Sequence, residues 1–174
     1  ETVIVTLGTP VNAAPGSVTV HTLTITGQPP TVSFTSAGQS GAEGGATVVV
    51  TAQLSSPSSL PVTVPFTLTG SATRQVDYTA TASPLTITAG STTAAISIDL
   101  VADGTAEPDE TIIATLEPPP NATLGGLTTH TVTITGQVPT VAFSQAVQTV
   151  PEGVVATISV ALSSASTRQV TVPF

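Results

Sequence analysis

Residues 85–116 have the sequence LTITAGSTTAAISIDLVADGTAEPDETIIATL, in which apolar and polar side chains alternate in three short runs. Alternation places every second side chain on the same face of an extended chain, so each run predicts a β-strand with one face in a core. The turn-forming residues Ala89-Gly90-Ser91 separate the first two runs, and an acidic segment separates the last two. This stretch therefore predicts consecutive strands joined by turns.

The same alternation continues outward on both sides of this stretch. Seven strands are predicted in all, with these inward-facing residues: Val32 and Phe34; Val48, Val50, Ala52 and Leu54; Val62, Val64, Phe66 and Leu68; Leu85 and Ile87; Ile96, Ile98 and Leu100; Ile112, Ala114 and Leu116; Val132 and Ile134. Such a pattern predicts an all-β fold, an immunoglobulin-like antiparallel β-sandwich of about seven strands. The apolar parity changes at His21 or Thr22, so we also predict a β-bulge there and at the equivalent His130.

Residues 1–66 recur almost in full about 109 positions later. The opening ETVIVTLGTPVNAAPGSVTVHTLTITGQPPTVSF returns from Glu110 as ETIIATLEPPPNATLGGLTTHTVTITGQVPTVAF. A fixed period is typical of tandem repeats. We therefore expect residues 1–27 to be the C-terminal strands of a preceding repeat, 30–136 a complete sandwich, and 139–174 the N-terminal strands of a following repeat.

The repeat also predicts the partners of the chain. We expect a window of a longer array, in which each unit contacts neighbouring repeats of the same chain or polymer and can make homotypic filament contacts. The join Gly27-Gln28-Pro29-Pro30 is short and contains proline, which fixes the backbone dihedral φ. Successive units should therefore form a semi-rigid rod.

The composition excludes several classes of function. The net charge is -8 and the chain has only two basic residues, so it cannot neutralise phosphates and we expect no nucleic-acid binding. No apolar run approaches the roughly 18 residues of a membrane span, so no membrane insertion is expected. Only 7% of residues are charged, and a surface solvated mainly by Thr and Ser hydroxyls favours an extracellular or cell-surface protein.

The sequence has no motif that indicates an enzyme. There is no Cys, and His21 and His130 lie in predicted strands without a Ser/Asp or Cys partner motif. The four Phe residues, including Phe143 and Phe174, fall on predicted core-facing positions, which leaves no aromatic platform for a sugar. We therefore expect no catalytic activity.

Acidic residues are concentrated in one predicted loop. Five of the ten Asp and Glu residues lie between Asp99 and Glu110, and their mutual repulsion must be offset. Glu43 and Asp77 lie in two other loops that a sandwich can place at the same end. Carboxylates from separate loops suit Ca²⁺, which takes six to eight oxygen ligands. A solvated acidic loop without a metal is the alternative.

Several short motifs in a fixed order resemble the Calx-beta domain, a repeat known from sodium–calcium exchangers, integrin β4 and many bacterial surface proteins. Besides the 85–116 stretch, the motifs are PTVSF at 30–34, AEG at 42–44, ATVVVTAQLS at 46–55, VPFTLTGSATRQVDY at 64–78 and THTVTIT at 129–135. The resemblance covers the whole central unit and both partial ones.

This resemblance implies a calcium cage made of Glu43, Asp77, Asp103, Glu107 and Glu110. The chain departs from the family pattern twice, with Ala102-Asp103 in place of Asp-Asp and Gly136-Gln137-Val138 in place of Asp-Asp-Asp. Because these departures remove ligands, we expect at most one weakly bound calcium ion per unit, with a Kd of about 10⁻⁴–10⁻³ M.

We therefore predict a structural repeat of an extracellular filament, stalk or large adhesin, with weak calcium binding as a source of rigidity. One alternative is a calcium-binding regulatory module, which would need a tighter site. The other is a non-catalytic spacer of a large secreted enzyme, which would require a catalytic domain elsewhere in the same protein.

Overall fold

The computed structural model describes all 174 residues and consists of β-strands joined by turns and loops, without a helix. Its strands are β1 (Thr2–Thr6), β2 (Val20–Thr24), β3 (Thr31–Phe34), β4 (Gly38–Ala42), β5 (Val48–Leu54), β6 (Val62–Val64), β7 (Phe66–Gly70), β8 (Tyr78–Ala80), β9 (Leu85–Ile87), β10 (Thr93–Leu100), β11 (Thr105–Ala106), β12 (Glu110–Leu116), β13 (Thr123–Leu124), β14 (Thr129–Thr135), β15 (Val141–Phe143), β16 (Val160–Leu162) and β17 (Ala165–Ser166). No part of the chain forms a helix long and apolar enough to cross a membrane.

Two sheets form a sandwich between β3 and β14. One has the strand order β13-β3-β5-β10-β8 and the other the order β4-β14-β12-β7. Most neighbours are antiparallel, whereas β13 pairs with β3 and β4 pairs with β14 in parallel at the sheet edges. The predicted all-β, immunoglobulin-like sandwich is thus confirmed, with two parallel edge strands added.

The core lies between the two sheets, and alternation along the strands builds it. In β5 the side chains of Val48, Val50, Ala52 and Leu54 are buried, whereas that of Val49 is 51% exposed. All 25 buried residues of the chain fall between Val32 and Ile134. The core therefore belongs to the central unit alone.

The third predicted strand, over residues 62–68, is in fact two strands that join different partners. β6 pairs with β9, and β7 pairs with β12. Pro65 separates them because proline has no N–H to donate to a ladder. Beyond it the Phe66 N–H donates to the Ser83 hydroxyl at 2.9 Å, and the chain enters the second sheet.

The predicted β-bulges at His21 or Thr22 and at His130 are wrong. The β12–β14 register runs unbroken from Glu110↔Ile134 to Thr115↔Thr129, and the β1–β2 register is unbroken as well. His130 itself occupies an inward position, 1% exposed, with its Nδ1 2.7 Å from the Ser36 carbonyl oxygen. A polar side chain therefore fills the core position where the sequence pattern anticipates an apolar one.

The flanking segments form separate hairpins, β1–β2 and β15–β16. Phe143 is 66% exposed and Phe174 is fully exposed, so the prediction that they face a core is wrong for this structure. The physical reason is that no second sheet covers the β15–β16 hairpin, which contains Phe143, and that Phe174 lies in the segment after β17, so neither side chain has a core to pack against.

Candidate metal centre

Three carboxylates converge at one end of the sandwich. Oxygen atoms of Asp77, Glu107 and Glu110 all lie within 4.8 Å of one another. Asp77 ends the turn before β8, Glu107 follows β11, and Glu110 begins β12. Because β8 and β12 belong to different sheets, the cluster joins the two layers of the fold at this end.

The backbone around Asp77 holds its carboxylate in place. Asp77 Oδ2 accepts a hydrogen bond from the Thr73 N–H at 2.5 Å, and the Asp77 N–H donates to the Thr73 carbonyl at 2.9 Å. The Asp77 carbonyl accepts from the Val101 N–H at 2.9 Å, and the next side chain, Tyr78, is buried in the core. The Asp77 side chain is itself only 8% exposed, so one member of the cluster is already fixed before any ligand binds.

Glu43 and Asp103 lie at the edge of this cluster. Glu43 lines the same small cavity of about 10 Å³ as the three converging carboxylates, and its Oε1 accepts a hydrogen bond from the Asp103 N–H at 3.2 Å. The Asp103 carboxylate instead accepts from the Thr105 N–H at 2.7 Å, within its own loop. Of the five predicted ligands, four therefore line the cavity and Asp103 braces the loop beside it.

Asp109, which has no role among the predicted ligands, holds the acidic loop against the end of β14. Asp109 Oδ1 accepts a hydrogen bond from the Gly136 N–H at 2.9 Å. A Cβ on Gly136 would lie 2.5 Å from the Pro108 carbonyl carbon, so the two backbones approach as closely as glycine permits. The sequence signal for this contact was the recurrence of Gly-Gln at both joins, at 27–28 and 136–137. A glycine at the boundary between units permits the close backbone approach that the structure shows at Gly136.

Burial and the charges of neighbouring carboxylates raise the pKa values of two members of the cluster, Glu110 and Glu107. Burial raises the pKa of Glu110 from 4.5 to about 6, with further contributions from the charge of Asp77, a hydrogen bond to Asp77, and the charges of Glu107 and Glu43. Burial, followed by the charges of Asp77, Asp103 and Glu43, also raises the pKa of Glu107. This end of the domain therefore favours the uptake of positive charge, either a proton or a metal ion.

No basic side chain of the protein is positioned to supply that charge. The chain has no Lys, and the guanidinium of Arg74 donates to the Ala80 carbonyl at 3.2 Å. The charge of Arg74 acts on the neighbouring Tyr78. Burial raises the pKa of the Tyr78 phenol, and the Arg74 guanidinium lowers it by a smaller amount, so the net direction is upward.

The geometry suits a single calcium ion. Two oxygens that bind the same calcium ion at 2.3–2.6 Å are at most about 4.6–5.2 Å apart. The oxygens of the three carboxylates lie within 4.8 Å of one another, which is inside that limit. A cavity of about 10 Å³ accommodates roughly one water-sized particle. Carboxylates are also the ligands that calcium prefers. The residues present therefore fit the ion.

Comparisons with known proteins agree with this fold. Residues 26–137 match the Calx-beta domain family. The apo form of the Calx CBD1 domain is 19% identical over 62% of this chain and 97% of its own, with a TM-score of 0.56. The Calx CBD2 domain is 16% identical over 63% of this chain and 90% of its own, with a TM-score of 0.54.

A larger structure, described as the calcium binding domain CBD12 of CALX1.1, is 20% identical with a TM-score of 0.54. The alignment covers 60% of this chain but only 43% of that one, so the present chain spans less than half its length. No significant match was found among curated proteins.

Proposed function

The chain belongs to the Calx-beta domain family, and on that basis we propose that its central unit binds one calcium ion between Asp77, Glu107 and Glu110. The observation that carries the proposal is the convergence of Asp77 with Glu107 and Glu110 from a second loop, with Glu43 from a third loop beside them. When bound, the ion would supply the positive charge that this acidic end lacks. Asp77 is held by the Thr73 N–H in advance. For Glu107 and Glu110, the ion would offset the repulsion from neighbouring carboxylates that, together with burial, raises their pKa values.

We further propose that the unit serves as a non-catalytic structural repeat of an extracellular filament, stalk or large adhesin. The flanking hairpins support repetition because they reproduce pairings of the central unit. Val5↔His21 in the first hairpin corresponds to Ala114↔His130, and Val141↔Leu162 in the last corresponds to Val32↔Leu54.

Calcium would stiffen such a rod through the loop that holds its junction. Asp109, which binds the Gly136 N–H, lies in the same loop as Glu107 and Glu110. Fixing these two glutamates therefore restricts the segment that anchors the end of β14. With a Kd of about 10⁻⁴–10⁻³ M, free calcium at a hundred times Kd would add about 2.7 kcal/mol to the free energy of unfolding.

Calorimetric titration of the 174-residue chain with calcium tests the site directly. We expect saturable binding of one ion and a melting temperature that rises with calcium and falls with chelator. Asp77→Asn and Glu110→Gln should abolish binding, whereas Glu117→Gln, the same loss of charge at an exposed position beyond β12, should retain it. Equal titration of all three variants, or no binding by the parent chain, would refute the proposed site.

A calcium-responsive regulatory module is the second candidate, favoured by the hydrogen bonds that fix Asp77 before binding. Affinity separates the two roles. A Kd in the range of about 10⁻⁷–10⁻⁵ M, typical of calcium sensors, would favour regulation, and a Kd near 10⁻³ M would favour a structural site.

A further inference from the structure

The acidic loop of the central unit makes a strand pairing with the segment that follows the unit. β17 pairs in parallel with β11, with Thr105 opposite Ala165 and Ala106 opposite Ser166. The Thr167 N–H also donates to the Ala106 carbonyl at 3.3 Å, and Ala106 is 3% exposed. The strand immediately before Glu107 is thus bound by residues more than fifty positions later in the chain.

The repeat identifies which part of the following unit makes this contact. Leu162 corresponds to Leu54, so Ser163–Arg168 corresponds to the turn Ser55–Leu60 after the second predicted strand of the central unit. We propose that successive units dock directly, with this turn of each unit pairing with the acidic-loop strand of the unit before it. The inference rests on the tandem arrangement in the proposed function.

The opposite end of the central unit offers a matching surface. The turn residues 56–60 line a polar groove of about 510 Å³ together with residues 27–30 and 120–123. Ser58 and Ser59 correspond to Ser166 and Thr167. The backbone N–H of Ser59 therefore corresponds to the Thr167 N–H that donates to the Ala106 carbonyl. The groove is therefore suited to the acidic-loop strand of a preceding unit.

The chemistry of the two surfaces is compatible. The turn at 163–168 contains hydroxyl side chains and no acidic residue, so it adds no repulsion to the carboxylate cluster. The observed hydrogen bond to β11 uses the Thr167 N–H, which Ser59 retains, whereas Pro57 at the position of Ala165 has no N–H to donate. Docking would also restrain Glu107, which follows β11 directly, and so would link the junction to the candidate metal centre.

Disulfide trapping in the 174-residue chain tests the docking. The chain has no cysteine, so the double variant Thr105→Cys with Ala165→Cys contains a single possible disulfide. Strand partners of this kind are close enough for the 4.4–6.8 Å Cα separation of a disulfide. The control pair is Thr105→Cys with Val155→Cys, since Val155 is 91% exposed and closer along the chain.

If the two segments were undocked and flexible, the control pair would cross-link at least as readily as the 105–165 pair. Fewer residues separate the two control cysteines, and the effective concentration falls with the length of the connecting chain. Docking predicts the opposite, with the effective concentration of the 105–165 pair at least about tenfold above that of the control. In the 105–165 background, Thr167→Pro removes the observed donor and should lower cross-linking, whereas Thr167→Ala should not.

Equal cross-linking of the two pairs, or disulfide-linked dimers in place of cross-linked monomers, would overturn the proposal. Cross-linking is measured in chelator and is therefore independent of the calcium titration. A chain that binds calcium without the preferred cross-link refutes docking alone, and a chain that cross-links without binding calcium refutes the metal site alone.

Discussion

Glu110 lies where burial and three neighbouring carboxylates act on the same group, which is why its pKa rises to about 6. Asp77 has a different environment, because the Thr73 N–H donates to its carboxylate. Such a bond fixes the position of the Asp77 carboxylate before any ligand binds. The cluster therefore combines an anchored carboxylate with one that holds a proton easily, and protons and metal ions should compete for it.

The first prediction concerns the pH dependence of the calcium-free chain. Because the pKa of Glu110 is higher in the folded than in the unfolded state, its protonation stabilises the fold. This contribution is fully present below about pH 4.5 and is lost as the pH rises through about 6. The melting temperature in chelator should accordingly decrease between pH 5 and pH 7, as followed by circular dichroism.

Glu110→Gln is the matched variant for this measurement, because glutamine is neutral at every pH. It should flatten the decrease, whereas Glu117→Gln should leave it unchanged. In the parent chain calcium affinity should weaken as the pH falls below about 6, since protons then occupy the site. An identical pH profile in the parent and in Glu110→Gln would contradict the assigned role.

The second prediction concerns the close approach at the junction. Gly136→Ala places a methyl group against the backbone of Glu107 and Pro108, so one of the two segments must shift. We expect a loss of about 1–3 kcal/mol in the free energy of unfolding, typical of overpacking. Urea denaturation in chelator measures this loss. Gly126→Ala is the control because its Cβ would meet nothing within 4 Å, and equal losses would show that close packing is not the cause.

At the residue scale the sequence predicted part of the site. It grouped Asp77, Glu107 and Glu110, which do converge, with Asp103, whose carboxylate turns to the Thr105 N–H. The difference depends on the local path of the loop, which charge spacing does not specify. The role of Asp109 depends on the position of Gly136, 27 residues away, and required the fold itself.

At the scale of single strands, β5 shows how alternating burial determines the contribution of each side chain to the free energy of unfolding. Val50 is 1% exposed and Val49 is 51% exposed, although they are adjacent and chemically identical. Val50→Ala should lower the free energy of unfolding by about 2 kcal/mol through lost burial and a residual cavity. Val49→Ala should change it by less than about 0.5 kcal/mol. Chemical denaturation of the two variants checks the register, and similar losses would mean that the faces of β5 are assigned wrongly.

Alternation predicted most of the strands that line the core, but it missed the three-residue strand β8, whose Tyr78 is buried, and the strands without an apolar face. β4 contains two glycines and pairs in parallel with β14, and the two-residue strands β11 and β13 also pair in parallel with distant segments. Such strands carry no repeating apolar face, so only tertiary pairing defines them. The sequence shows Pro65, but it does not show that the chain changes sheets there. That change depends on the positions of β9 and β12, which pair with β6 and β7 respectively.

For the molecule as a whole, the distribution of burial separates one folded unit from two flanking hairpins. Every buried residue lies between Val32 and Ile134, and an isolated two-stranded hairpin is at best marginally stable in water. The hairpins expose apolar side chains, including Ile4, Leu23 and Ile158. In an array such faces would be covered by the remaining strands of their own units.

A chain of residues 30–136 should therefore fold independently, since it keeps all 25 buried residues. It loses only the β1–β2 and β15–β16 hairpins and the β11–β17 pairing, so its melting temperature should stay within about 5 °C of the parent, the shift expected for roughly 1 kcal/mol. Calorimetry of both chains in chelator provides the comparison. Completing the following unit, by contrast, should add a second cooperative transition. It should also protect the Thr167 N–H, the donor to the Ala106 carbonyl, from hydrogen exchange, because β17 would then be held by its own folded sandwich. Failure of residues 30–136 to fold would mean that the flanks contribute to the core in solution, against the burial pattern that defines the unit.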